Sequence, residues 1–304
     1  MPVPPVAASS TAVYVPRREP RYSVVDGREG RIALTHWGPP DPAPIVLLHG
    51  WMDCGAAWQL LVDCLPDDWP LVALDWPGYG RSDWHPRHYW YPEHLAELES
   101  VLEAIAPQQP VRLIAHSMGG TVASMYSGIR AASIGWTVSM EGYGMPPLLP
   151  AQLPAHLASW LDEIRQATVP RRYSDLEELA VAVRRANPRL PPAHARYLAE
   201  VWTRSVDQGF EMRADPRQQW RSPLRFGRAE LEACWAGITA PFLLLHGAES
   251  NYLARAAGSD ALARWGQLIP RFASETIAEA GHLLPYEQPQ RVAQAIMRFV
   301  AAQS

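Results

Sequence analysis

Apolar residues fall into two alternating patterns along this chain. The first is a set of short continuous runs at residues 43–51, 71–75, 111–116, 136–141 and 241–247, each ending in small or polar residues. A run without polar alternation is what a strand buried on both faces requires, and such strands belong to parallel sheets. The second pattern lies between the runs and has helical spacing: Trp58, Leu61, Val62 and Leu65; Leu95, Leu98, Leu102 and Ile105; and, near the end, Val292, Ile296 and Phe299. Residues 22–26 and 31–37 predict two strands turning at Gly27 and Gly30, and residues 272–277 predict a last strand. Strand and helix alternate. That order predicts an α/β fold with a doubly wound, mostly parallel sheet, whose ligand-binding loops gather at the C-terminal strand edge.

The rhythm breaks between residues 146 and 235. This segment carries helical patterns at Trp160, Leu161 and Ile164, at Leu176, Leu179 and Val183, and at Tyr197, Leu198, Val201 and Trp202, punctuated by ten prolines. It reads as an all-helical insertion of about ninety residues. Because it leaves from a strand's C-terminal end, it is expected to cover that edge as a cap or lid. The core is then residues 21–145 and 236–304. Residues 1–20, rich in Pro and Ala, read as an arm that is disordered or draped on the surface.

Composition narrows the partners. Of 304 residues, 48% are hydrophobic, enough for a large core, and the net charge is −4. Every basic residue other than histidine is Arg, and no basic stripe or block occurs, which argues against nucleic acid as a partner. No apolar run reaches the roughly 18 residues of a membrane span. The N-terminus lacks the basic start and apolar centre of a signal peptide. Cys54, Cys64 and Cys234 have no metal-ligand spacing and read as reduced thiols of a cytoplasmic protein, with a Cys54–Cys64 disulfide as the minor alternative.

The chemistry centres on Ala115-His116-Ser117-Met118-Gly119-Gly120. An apolar strand ends in a serine, and a small-residue helix begins at once. A serine hydroxyl becomes a good nucleophile on such a turn, where a helix N-terminus favours developing negative charge and a histidine can take its proton. His282, after Gly281 in the loop following the last strand, is the candidate base. His49-Gly50-Trp51 ends another strand. It can aim the Trp51 backbone N–H into the site, where it would form an oxyanion hole with the Met118 N–H. Two loops could supply the acid that orients His282: Glu141, ending the strand beside the nucleophile strand, or Glu249, in Ala248-Glu249-Ser250-Asn251. Glu141 is preferred. Asp75 and Arg81 read as a charged pair that pins the intervening loop.

Quoted together, Leu48-His49-Gly50-Trp51, Asp75-Trp76-Pro77-Gly78-Tyr79-Gly80-Arg81-Ser82, Ala115-His116-Ser117-Met118-Gly119-Gly120 and Gly281-His282-Leu283-Leu284-Pro285-Tyr286-Glu287-Gln288-Pro289 resemble the α/β-hydrolase superfamily, in its order, over about residues 21–304. The likeness is to a serine-hydrolase-like branch of epoxide-hydrolase and haloalkane-dehalogenase relatives. It implies an eight-stranded sheet, a Ser-acid-His triad, a backbone oxyanion hole and a cap after the sixth strand. Two departures stand out. Ala115 occupies a position usually held by Gly, and Ser250 stands where most members carry the triad Asp. A subset places the acid after the sixth strand, and Glu141 looks like that arrangement. Epoxide hydrolases and dehalogenases use an Asp nucleophile. Ser117 stands in its place, so both activities are set aside.

The expected activity is hydrolysis of a carboxylic ester or lactone through an acyl-enzyme, without metal or organic cofactor. The expected partner is a small, moderately large hydrophobic ester or lactone, held by Met52, Tyr143, Met145, Trp160, Trp202 and Leu283 beside Trp51 and Met118. Acyl transfer or cofactor-free perhydrolysis by the same residues, and a ligand-binding protein with little turnover, remain the alternatives.

Overall fold

The computed structural model describes residues 13–303 apart from 42, 87, 147, 257 and 259. Its centre is an eight-stranded sheet built from β1 (Arg21–Asp26), β2 (Arg31–Trp37), β3 (Ile45–Leu48), β4 (Leu71–Leu74), β5 (Val111–His116), β6 (Ile134–Met140), β10 (Phe242–Gly247) and β11 (Phe272–Ile277). The order across the sheet is β1-β2-β4-β3-β5-β6-β10-β11. β1 pairs antiparallel with β2, and β2 with β4; every other pairing is parallel. The chain reverses its direction of travel across the sheet beside β3, so β3 and β5 lie side by side with their C-terminal ends at one crevice, where such sheets bind ligands.

The continuous apolar runs are explained by helices on both faces. Ile45 and Leu47 of β3 join Ile114 of β5 and Val138 of β6 in a core completed by α1 (Gln59–Val62) and α11 (Pro289–Ala301). Their neighbours Val46, Leu48, Leu113 and Ala115 point the other way, onto α2 (Tyr91–Ile105) and α3 (Met118–Ile129). The helix expected around Trp58–Leu65 is only a 3₁₀ turn followed by the four residues of α1.

Between β6 and β10 lie α4 (Leu153–Glu163), α5 (Leu176–Ala186), α6 (Pro192–Trp202) and α7 (Arg228–Trp235). The insertion is not all-helical. β7 (Arg172–Tyr173), β8 (Thr203–Val206) and β9 (Gly209–Met212) form a small antiparallel sheet in the order β7-β9-β8. Strands of two to four residues leave no readable alternation. Cross-strand charge holds them instead: Glu211 accepts from Arg172 at 3.0 Å and from Arg204 at 2.8 Å. Gly209, with φ +110°, makes the hairpin possible, because a Cβ there would sit 2.2 Å from the Tyr173 carbonyl oxygen. The expected end of the insertion at residue 235 also shifts. Leu231 and Trp235 of α7 pack with Met125 of α3 and with Trp265 of α9 (Ala261–Leu268), and the Trp235 indole donates to Ser124 Oγ at 2.8 Å. α7 therefore belongs to the layer beside the main sheet.

Three contacts tie the insertion down. Tyr173, Leu176, Leu179, Leu198 and Met212 share a core with Cys54, Leu60 and Tyr286. The described part of the N-terminal arm is draped, not free: Tyr14 packs edge-on to Tyr197 of α6 with ring centres 4.9 Å apart, and its hydroxyl donates to Asp63. Asp53, buried in the loop after β3, accepts from the Trp202 indole at 2.7 Å, from Tyr286 OH at 2.5 Å and from Cys54 N at 2.8 Å. In the next loop Asp75 accepts the backbone N–H groups of Gly55 and Arg81 at 2.6 and 2.8 Å. The Arg81 guanidinium lies instead over the Tyr22 ring, 3.8 Å from its centre, so the expected Asp75–Arg81 ion pair is replaced by a backbone contact. Cys54, Cys64 and Cys234 are free thiols. No helix among the described residues is long and apolar enough to cross a membrane.

Burial outweighs Asp53's three donors and pushes its carboxyl up to about 6. The folded chain then holds this proton more tightly than the unfolded chain, whose carboxyl titrates near the ordinary value of about 3.9. Stability from this site is present below about pH 4 and is lost as pH rises through about 6. Asp53→Asn removes that loss. The stability of wild type relative to the variant, from urea unfolding, should fall between pH 4 and 7 and level off above.

Candidate active site

Ser117 ends β5 and opens α3 with φ 53° and ψ −115°, a conformation rare for a side chain larger than glycine. Two features hold it there. Its N–H donates to the Met140 carbonyl of β6 at 2.8 Å. Gly119 lets α3 begin in contact with β3, because a Cβ at that position would lie 2.3 Å from the Leu48 carbonyl oxygen. The turn presents the Ser117 hydroxyl above the strand edge and places the free N–H groups of the first helical turn beneath it.

Glu141 ends β6 with a matching positive φ of 56°. Its carboxylate is fully buried. Oε1 accepts from Gly247 N at 2.9 Å and from Tyr143 OH at 3.3 Å; Oε2 accepts from Ser250 Oγ at 2.6 Å. The same Oε2 lies 3.1 Å from His282 Nδ1, and His282 Nε2 lies 2.9 Å from Ser117 Oγ. Ser117, His282 and Glu141 thus form one hydrogen-bonded chain. With Glu141 accepting at Nδ1, the imidazole carries its proton there and offers Nε2 to the serine hydroxyl.

His282 is held from three sides. Glu287 of α10 (Leu284–Glu287) accepts the preceding Gly281 N–H at 2.5 Å. Tyr252, the first residue of α8 (Tyr252–Ala256), places its ring 4.8 Å from the imidazole. His116 Nε2 donates to the His282 carbonyl at 2.8 Å. Burial, followed by the nearby His282, drives His116 down to about 3, so it stays neutral and keeps that donor. Sequence reasoning passed over His116, whose role becomes visible only when the β5 end meets the His282 loop.

Glu249, the other candidate acid, turns away and pairs with Arg189 from the insertion. The nearby Ser250 hydroxyl instead reaches Glu141.

The turn at Trp51 is set by His49. This buried histidine, lowered to about 3 chiefly by desolvation, donates from Nδ1 to the Gly50 carbonyl at 2.8 Å and accepts Trp76 N–H at Nε2 at 3.0 Å. Met52 follows with φ 58°. Trp51 and Met118 both border the cavity that contains Ser117 and His282, and the Trp51 indole donates to the Gln218 carbonyl at 2.8 Å.

That cavity has a volume of about 680 Å³. Its walls come from the main sheet's loops and from the insertion, including Tyr89, Tyr91, Met145, Pro188, Trp220 and Tyr252. Of the expected substrate-holding residues, Met145 is in the wall. The other five are not among the described residues lining it. Tyr143 stacks on Trp265 in the core beside the sheet. Trp202 turns inward to Asp53, Met52 and Leu283 pack into the insertion's core, and Trp160 lies edge-on to His88. Four arginines line the cavity instead: Arg189, Arg221, Arg225 and Arg255. No cluster of three or more potential metal ligands occurs among the described residues.

Known proteins share this architecture. Over 308 aligned positions, 94% of this chain, it is 27% identical to the probable oxidoreductase EphD of Mycobacterium tuberculosis, and it covers 50% of that protein. A serine hydrolase-like protein of Danio rerio is 32% identical over 188 residues, 60% of this chain and 57% of the relative. The chain therefore spans about half the length of the curated relatives it matches. Among solved structures, the thioesterase domain from the curacin biosynthetic pathway superposes with a TM-score of 0.80 at 23% identity, covering 92% of this chain and 99% of that one. E-2-(acetamidomethylene)succinate hydrolase gives 0.74 at 19% identity, covering 93% and 100%. Residues 45–295 match the alpha/beta hydrolase family, and with its parallel sheet and serine turn the chain belongs to that family.

Proposed function

We propose that this protein is a serine hydrolase that cleaves a carboxylic ester or lactone through an acyl-enzyme. The observation that carries the reading is the unbroken chain from Ser117 Oγ through His282 to the buried Glu141 carboxylate, at the floor of a cavity that admits a small molecule.

In this reading Ser117 Oγ attacks the carbonyl carbon while His282 Nε2 takes its proton. Glu141 holds the imidazole in register and stabilises the cation that forms. The N–H groups of Trp51 and Met118 receive the oxyanion, and the helix N-terminus at Met118 adds its dipole. The tetrahedral intermediate collapses, and His282 returns the proton to the departing alcohol, or to the ring oxygen of a lactone. A water molecule, deprotonated by His282, then releases the acid and restores Ser117. The insertion up to α7 acts as the lid over this edge, since its residues form one wall of the cavity.

Ser117→Ala should abolish labelling by a fluorophosphonate probe and lower turnover on an ester and lactone panel by several orders of magnitude. A wild-type protein that takes no label would mark a binding protein with the fold alone. If added alcohol or peroxide diverts most of the acyl group into a new ester or peracid, acyl transfer or perhydrolysis replaces hydrolysis.

Glu141→Gln should cost about 10³- to 10⁴-fold in kcat, because the imidazole loses both its tautomer lock and the counter-charge to its cation. Glu249→Gln should cost far less. The reverse ranking of the two variants, measured on one ester, would move the acid to Glu249. Ser250→Ala removes a 2.6 Å donor from Glu141 Oε2 and should lower kcat by about tenfold with little change in KM.

A further inference from the structure

Charge in the cavity does not balance locally. Arg189 is paired with Glu249, and Arg221 with Glu163 through its Nε at 2.7 Å. Glu287 is committed to Gly281 N–H, and Glu141 to its own four donors. Arg225 and Arg255 also line the cavity, and their guanidiniums make no hydrogen bond or ion pair to any described residue. Arg225 is the telling one. Its Nε–H is buried without an acceptor, as are nine other side-chain atoms among the described residues, and what sets Arg225 apart is that it brings an unpaired charge to the cavity wall. It stands where the main cavity opens into a small apolar recess of about 30 Å³, bordered by Tyr91, Thr121, Leu224, Phe226 and Leu231.

The two arginines also address the same neighbourhood as the reacting groups. Burial and then the Glu141 charge push the Tyr252 phenol up, and both Arg255 and Arg225 are close enough to oppose that shift. The Tyr252 ring is in turn 4.8 Å from His282. A guanidinium can also present its two Nη–H groups as a planar pair of donors matched to the two oxygens of a carboxylate.

We propose that Arg225, assisted by Arg255, is a carboxylate anchor, and that the ester cleaved at Ser117 carries a free carboxylate on its acyl half. This rests on the hydrolase reading and narrows it from carboxylic esters in general to half-esters of dicarboxylic acids, in place of the hydrophobic ester expected from the sequence. The apolar wall at Tyr91 and Met145 covers the methylene chain between the two ends.

Two measurements separate the anchor from the hydrolase reading. The first compares kcat/KM for mono-4-nitrophenyl glutarate and 4-nitrophenyl valerate, acyl chains of equal length with and without the charge. The wild type should prefer the glutarate by tenfold or more, and Arg225→Gln should lower that ratio by at least tenfold. Arg255→Gln, at an exposed position, should lower it in the same direction and carries the comparison if the Arg225 variant does not fold. The second is calorimetric binding of monomethyl glutarate to Ser117→Ala, which needs no turnover; adding Arg225→Gln should weaken binding at least tenfold. Ester turnover with a ratio near one, or a ratio that neither arginine moves, overturns the anchor and leaves the hydrolase. Arginine-dependent binding with no turnover of any ester supports the anchor and overturns the hydrolase.

Discussion

A fully buried carboxylate joins three loops that the main sheet alone would leave independent. Glu141 leaves water at the end of β6, and that cost is met only because four donors converge on it from β10, from the loop after β10, from the loop after β11 and from its own strand end. Any one donor withdrawn leaves charge uncompensated in a dry site, so each loop is held in place by the others. Ser117 then needs only to meet an imidazole that is already fixed. The positions of Ser117 and His282 follow from the solvation of the Glu141 carboxylate.

Strain is distributed in the same way. Ser117 and Glu141 sit at equivalent heights on adjacent strands, one residue beyond the His116–Met140 register pair, and both adopt positive φ. Each is turned out of its strand by a conformation that costs on the order of 1–3 kcal/mol. The sheet can hold this because β5 and β6 lie in its interior, with neighbours on both sides and apolar cores on both faces. An edge strand would relax. The cavity-facing side is built differently, since part of its wall comes from the insertion and is joined to the rest through Asp53, Tyr14 and a shared apolar cluster.

What the sequence reveals tracks how local each determinant is. All eight strands of the main sheet are legible: burial on both faces writes continuous apolar runs at Ile45–Leu48, Leu71–Leu74 and Phe242–Gly247, while the largely exposed edge strands β1 and β11 show only short mixed runs beside turn residues. Ser117 and Glu141 are legible because each directly follows such an element, and His282 because it follows Gly281 in the loop after the last strand; the geometry joins them. The β7-β9-β8 sheet is not legible: its hold is the triangle of Arg172, Arg204 and Glu211, which is set by pairing across the chain. The cavity wall is the least legible part. Aromatic residues suggest an apolar lining, but Tyr143 and Trp202 are drawn inward by Trp265 and Asp53, and arginines from three separate segments take their places. Nothing in the local pattern around Arg225 or Arg255 distinguishes an arginine facing a cavity from one facing solvent.

Ser250 carries a consequence of another kind. It occupies the place from which most relatives in this family are expected to offer the acid, and its hydroxyl still reaches the same carboxylate oxygen that meets the imidazole. Two strand ends therefore meet at one carboxylate oxygen, Glu141 Oε2, and the architecture does not dictate which of them bears the charge. It dictates the sum. A single negative charge neutralises the imidazolium. A second acid at position 250 would set two carboxylates around one proton and turn a simple titration into a coupled one.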